Sequence, residues 1–432
     1  MYKTEKRLLF LITFCMLSVF GISQNEINSP YSSFGLGNLS PQTNIVLGSM
    51  GGVGYALQNP YYINFKNPAA FAAFDSLSFI ADLAFSITNQ QLKTQDLDSR
   101  GNFAQLEYIT IGLPVLPVWR TSMGIKPYSN VGYGILDNRE TEDFGKINNH
   151  YQGTGGLQLL YWGNAFKVCK GLSLGVNLSY LFGSINTTSF AEYEMETAFN
   201  TLISNFRYLD GIHISGGVLY NTTIKEKHTI GIGVVYENTI KLWSRENFMA
   251  LNYSGAYSVS STFDTILRRI DTNAIRTHNA KMPHIVGGGF SYGYKDKLLV
   301  SADLTWQNWK RFAMSNIKDS LKNNLITSLG VQFIPDPLST KYMKRVNLRL
   351  GTRFSTGYIV VKDFPITEFA IAAGIGFPLR TFNTRSSLNI MFEYSKLGTL
   401  KIEEHNLVLQ NYYKLSFNFI LQEKWYQRRK LE

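Results

Sequence analysis

Six ionisable residues sit at positions where a strand would set them against oily neighbours: Asp82, Asp303, Arg345, Arg349, Arg353 and Glu393. In the stretch 345–354 the apolar set is Val346, Leu348, Leu350 and Phe354, and the opposite set is Arg345, Asn347, Arg349 and Arg353. Asp303 alternates against Leu298, Val300, Ala302, Leu304 and Trp306, Glu393 against Leu388, Ile390, Phe392 and Tyr394, and Asp82 against Phe79, Leu83 and Phe85. Side chains alternate across a strand, so these charges occupy one face and the oily residues the other. If the oily face meets lipid, a charge placed there near the midplane would cost roughly 2–4 kcal/mol. The six are therefore expected on an inner face. There they could select a ligand, or they could form an ion-pair network that braces a wall and holds a plug. Buried charges need partners, and this set contains both signs, so the network is the expected role.

Little else in the chain points to chemistry. The histidines His150, His213, His228, His278, His284 and His405 show no metal-ligand spacing. The glycine clusters Gly51, Gly52 and Gly54, and Gly287, Gly288 and Gly289, do not lie between a strand and a helix as a nucleotide site requires. They suit turns and clearance on an inner face. No serine, histidine and acid grouping stands out. No enzyme activity, metal or cofactor is expected. The tryptophans Trp119, Trp162, Trp243, Trp306, Trp309 and Trp425 suit anchoring at a membrane interface better than ligand stacking.

The elements that would position these residues are strands. From Leu172 to Phe182, the residues Leu172, Leu174, Val176, Leu178, Tyr180 and Phe182 share one face, while Ser173, Gly175, Asn177 and Ser179 share the other. The pattern recurs in segments near 77–88, 103–113, 118–128, 154–168, 171–187, 206–221, 227–242, 247–263, 283–294, 297–309, 325–335, 345–356, 368–378, 386–396 and 412–421. Single-chain bacterial barrels have an even strand number, so these fifteen candidates include one that is split or spurious, and about 14 strands are expected. The fold class is all-β, a transmembrane antiparallel β-barrel. Gly171 and Lys295-Asp296 mark tight turns, and 89–102, 137–150, 188–205, 264–282 and 397–410 read as long polar loops.

Residues 1–23 read as a signal peptide, with basic Lys3, Lys6 and Arg7, an apolar core from Leu8 to Phe20, and small Gly21 and Ser23 before the cut. Residues 24–76 do not alternate and form an N-terminal extension. The barrel is expected over 77–421 and a basic tail over 422–432. Without the signal, Cys169 is the sole cysteine and no internal disulfide is expected. No stretch is apolar enough for a transmembrane helix, so an exported chain of this kind is expected in the bacterial outer membrane. The 25 Tyr and 29 Phe suit two interfacial belts. The net charge of +11 is scattered, which points to rim and anionic-lipid contacts rather than nucleic acid.

The segment from Ser49 to Ala73 resembles the N-terminal hatch of FadL-type outer membrane proteins. A Gly-rich stretch with Gly51 and Gly52 leads to a polar turn and then to Asn67-Pro68-Ala69. The stretches Met282–Tyr292, Leu298–Trp309, Arg349–Phe354 and Gly374–Leu379 are similar to the same family. The resemblance implies a 14-stranded barrel with a small hatch, taking up hydrophobic small molecules such as long-chain fatty acids by passive transport. Its partners would be outer membrane lipid and a hydrophobic ligand. The same fold also serves secretion machinery, so the rival reading is a non-transport barrel subunit of a protein-secretion or barrel-assembly machine, with other outer membrane proteins as partners. Two departures favour the rival: about 25 residues precede the Gly-rich stretch, and the chain continues past its last strand.

Overall fold

The computed structural model describes residues 29–142, 145–195, 198–254, 265–314, 321–380, 385–402 and 405–424. The expected signal peptide (1–23) and most of the expected basic tail, with Trp425, lie outside the described residues.

Fourteen strands close an antiparallel ring. They are β1 (Ser78–Lys93), β2 (Asp98–Leu116), β3 (Trp119–Thr141), β4 (Gly145–Cys169), β5 (Leu172–Tyr193), β6 (Asn200–Ile224) and β7 (His228–Ser254). There follow β8 (Ile285–Tyr294), β9 (Leu298–Gln307), β10 (Asn324–Phe333), β11 (Asn347–Ser355), β12 (Glu368–Arg380), β13 (Arg385–Leu397) and β14 (Leu409–Lys424). The ring closes where β1 pairs β14, from Ser78↔Lys424 to Lys93↔Leu409. Two further strands join the sheet from one side only. Asn38–Leu39 pairs β3, and Thr265–Ala280 pairs the upper part of β7.

The sequence pattern explains the faces. On β5, Leu174, Val176, Leu178 and Tyr180 are exposed on the outer wall, while Ser173, Asn177 and Ser179 are buried inside. Each strand of the ring pairs a neighbour on both sides, which supplies partners within the sheet for most of its backbone groups, as a spanning sheet requires. No helix among the described residues is long and apolar enough to cross a membrane.

One end of the barrel carries tight turns. At the β6–β7 turn Lys225 and Glu226, and at the β8–β9 turn Lys295 and Asp296, both central residues have positive φ, between 50° and 55°, as a two-residue hairpin turn matched to strand twist requires. Gly171 supplies φ +85° at the β4–β5 turn.

Three expectations are corrected. The fifteenth strand is no separate element, because 228–242 and 247–254 belong to one strand, β7, of 27 residues, and 255–263 lie outside the described residues. Segments 89–102, 137–150 and 188–205 are chiefly continuations of the strands rather than loops, so the hairpins β1–β2, β3–β4 and β5–β6 stand tall. Within 264–282 lies the strand Thr265–Ala280. The wall is lopsided. Strands β3 to β7 have 22–27 residues and β8 to β11 only 9 or 10, against the roughly 9–11 needed to span lipid.

Candidate functional site

Residues 29–74 pack inside the ring. Their short elements are a 3-10 turn Pro30–Ser33, a one-turn helix Ile45–Gly48 and a 3-10 turn Pro68–Ala73. Asn44 caps the helix by accepting from Leu47 N at 2.8 Å, and Asn67 caps the second turn by accepting from Ala69 N at 3.0 Å. The segment's apolar residues, among them Ile45, Leu47, Met50, Val53, Ile63, Phe65, Phe71 and Phe74, merge with inward Ile80, Tyr108, Tyr161, Ala372, Met391 and Ile420 in one core. The barrel thus buries its core between a disc of chain and its own inner wall.

Glycine makes the disc fit. A Cβ on Gly175 or Gly217 would collide with Pro68, Ala69 or Asn67, one on Gly233 or Gly287 with Tyr55, and one on Gly330 or Gly351 with Met50. Gly51 and Gly52 themselves have φ of +72° and +82°, and a Cβ on Gly51 would strike the backbone of Thr352 and Leu329. The wall glycines therefore form a groove into which the segment's backbone is pressed.

The charges on the inner wall fall into separate clusters. Asp303 on β9 accepts from Lys66 Nζ at 2.9 Å, Gly54 N at 2.7 Å and Tyr55 N at 3.1 Å. Lys66 also donates to Gly52 O at 2.6 Å and lies over the Tyr55 ring at 4.1 Å. Asn67 Nδ2 donates to Tyr55 O at 2.6 Å. Asp303 is in this way tied to both ends of the Gly-rich stretch. Arg353 on β11 pairs Glu368 at 2.8 Å and Glu393 at 3.4 Å. Arg349 donates to Gln332 at 2.8 Å and Asn389 at 2.9 Å. Asp82 accepts from Asn418 at 2.5 Å. Pro68 and Ala69 are buried against β5 and β6.

Arg345 is a correction. It ends the 3-10 turn Tyr342–Arg345 before β11 begins, and its guanidinium lies over the Tyr342 ring at 5.5 Å. The alternating register starts only at Asn347, so Val346 is buried and not lipid-facing. Trp309 is a second correction. It is 1% exposed in the turn Trp309–Arg311 and stacks on Tyr358 at 4.3 Å, far from an interfacial anchor.

The alternation could not find several partners. Lys414 on β14 pairs Glu107 on β2 at 2.6 Å, and His213 on β6 lies 3.6 Å from Glu237 on β7. Lys126 on β3 is buried, with its ammonium 4.2 Å from the Phe65 ring centre. Their signal, a lone polar residue on an otherwise small inner face, is visible only once the register is known.

The N-terminal extension continues toward the open, hairpin end. Tyr31 packs with Ile359, Ile366 and Leu407, and its hydroxyl donates to Val408 O at 2.7 Å. Burial pushes the Tyr31 hydroxyl up, which keeps it a neutral donor. Tyr358 donates to Gly37 O at 2.7 Å. Leu36 is fully buried against Leu157, Leu181 and Leu209 of the inner wall, in a cluster with Met282 and Met314. Between this strap and the disc remains a cavity of about 330 Å³. Lys66, Lys126, Arg353, Lys414, Glu237, Glu368, Glu393 and His213 are among its lining residues, together with Asn38 to Thr43 of the strap.

The family model for BamG matches residues 5–432, nearly the whole chain. The chain belongs to the BamG family. No curated protein sequence matches it. In fold it is similar to the toluene transporter TodX of P. putida, with a TM-score of 0.61 and 13% identity over 90% of this chain and 100% of that one. It is also similar to the CymD monoaromatic hydrocarbon channel (TM-score 0.56, 14% identity, 92% of this chain and 100% of that chain) and to a FadL homologue of Pseudomonas aeruginosa (0.56, 12%, 90% and 100%). At such identities the likeness is one of fold: this BamG family member shares the barrel fold of these three proteins.

Proposed function

We propose that this chain is a sealed, non-conducting barrel that serves as a subunit of an outer membrane machine for protein secretion or barrel assembly. The observation that carries the reading is the state of the lumen. A disc bound all round the wall fills the turn end, a strap crosses the hairpin end, and the apolar part of the interior is packed with Leu36, Leu157, Leu181 and Leu209. The space left over sets ionised side chains such as Lys126, Arg353 and Glu393 among apolar ones such as Phe65, Leu159 and Ile326. An apolar guest gains roughly 0.8 kcal/mol per buried methylene only where it leaves water for an apolar site, and covering ionised groups works against it.

The second reading, passive uptake of hydrophobic small molecules such as long-chain fatty acids, is supported by the likeness in fold to the TodX and CymD channels. In that reading residues 49–73 act as a hatch that a ligand must displace.

Native mass spectrometry of the protein, extracted gently from its own outer membrane at low expression, separates the two. Fixed-ratio partner proteins and an empty lumen are expected. A lone barrel carrying a fatty acid or hydrocarbon would overturn the subunit reading in favour of uptake.

A further inference from the structure

The wall has a seam. The ladder between β2 and β3 runs from Leu116↔Trp119 to Ile109↔Ile125 and goes no further. Both strands continue, β2 to Asp98 against β1 and β3 to Thr141 against β4. Above Ile109 and Ile125 they are no longer each other's neighbours, and each shows an edge.

The two edges are treated differently. The β3 edge is covered by the strap. Asn38 pairs Asn130, Leu39 pairs Ser129, Ser40 N donates to Tyr128 O at 3.0 Å and Ser29 N to Gly132 O at 2.7 Å. Gln42 adds a bond to Pro127 O at 3.1 Å and Ser32 one to Gly132 O at 3.0 Å. The β2 edge has no such cover: among the described residues no second strand pairs with residues 98–108. Its lower part lies at lipid level, since Leu106 and Ile109 are exposed on the oily outer wall. Lipid offers no donors or acceptors to a free ladder edge, and natural sheets do not leave such an edge bare.

Resting on the subunit reading, we infer that the β2 edge, Asp98–Tyr108, is the docking site for an extended segment of a partner membrane protein, added as a strand to this sheet. The occupant must bring backbone donors and acceptors at strand spacing. The facing edge already accepts an extended chain, the strap itself. A second copy of this protein does not fit. Two copies inserted the same way round and related by a two-fold axis along the membrane normal would set each N–H of β2 against its own mate, a pattern that neither ladder type permits.

The test uses a photo-reactive residue placed singly at Asn102, Ala104 or Leu106 of the full chain in its native membrane. Val234 on β7 serves as control, since there both edges are paired. A position whose variant loses its heat-resistant barrel band is replaced by Arg100. The seam positions are expected to give adducts to one segment of one protein. The adduct site should walk along that segment by two residues for each two-residue step on β2, with no such walk from Val234. Adducts to lipid alone, to residues 29–40 of this chain, to another copy of it, or to proteins without register would overturn the proposal. If fixed-ratio partners persist in native mass spectrometry while the seam yields no such walk, the subunit reading stands and the seam proposal falls.

Discussion

Asp303 shows how far a residue can be read from its strand and where that reading stops. Alternation alone places it on the inner face, but its ammonium partner lies 237 positions earlier, in a segment without periodicity. The carboxylate fixes Lys66 and two backbone amides of the disc at once. Removing one partner of a buried pair leaves the other charge uncompensated, at about 3–5 kcal/mol. Asp303→Ala is therefore expected to free residues 49–67 while the ring survives. Limited proteolysis should cut this segment in the variant and spare it in the parent, with the heat-resistant barrel band unchanged in both. Equal protection in the two would show that the clamp does not hold the disc. The glycines make a sharper pair. Gly351→Val would drive a side chain into Met50, whereas a Cβ on Gly216 meets nothing within 4 Å. Overpacking of this kind costs about 1–3 kcal/mol. The first substitution should lower thermal stability and Gly216→Ala should leave it within error.

At the scale of elements, the strand period was legible because lipid and lumen impose opposite chemistry on alternate residues. It named β8, β9 and β13 closely and misjudged the tops of β3 to β7. Above the lipid both faces meet water, the constraint lapses, and stretches such as Asp137–Thr141 and Gly145–Asn149 look like loops though they are paired across β3 and β4. The strap was illegible for another reason: its order comes from tertiary contacts of Tyr31, Leu36 and Asn38, and it has no repeat of its own. Because Leu36 is fully buried in the apolar cluster, Leu36→Asp should detach the strap from the hairpin end at little cost to the ring. The parent protein in planar bilayers is expected to pass no measurable current. The variant should show small channels, since the charged cavity beneath would then open to solvent. A conducting parent would contradict a sealed lumen.

At the scale of the whole molecule, the lopsided wall is the feature that a simple channel does not require. The β6 and β7 strands have 25 and 27 residues, paired along their length from Ile224↔His228 to Asn200↔Tyr253. About 10 residues suffice to cross the lipid. The remainder extends as a broad ribbon beyond the hairpin end, stiffened by pairing with β5 and with Thr265–Ala280 and by its own small core of Phe190, Leu202, Leu251 and Tyr253. A long flexible loop would be the cheaper way to cover a pore. A rigid paired ribbon loses little conformational entropy when a partner binds to it, and this is what a docking surface needs. Trimming the ribbon with two tight turns, one joining Gly183 to Leu209 and one joining Leu242 to Ala280, each pair facing each other in its ladder, keeps the lipid-level ring. This variant is expected to retain heat-resistant barrel mobility and to lose its co-purifying partners in native mass spectrometry. If the partners remain at the parent ratio, the ribbon is not their platform, and the contact must lie on the lipid-level wall where β2 and β3 part.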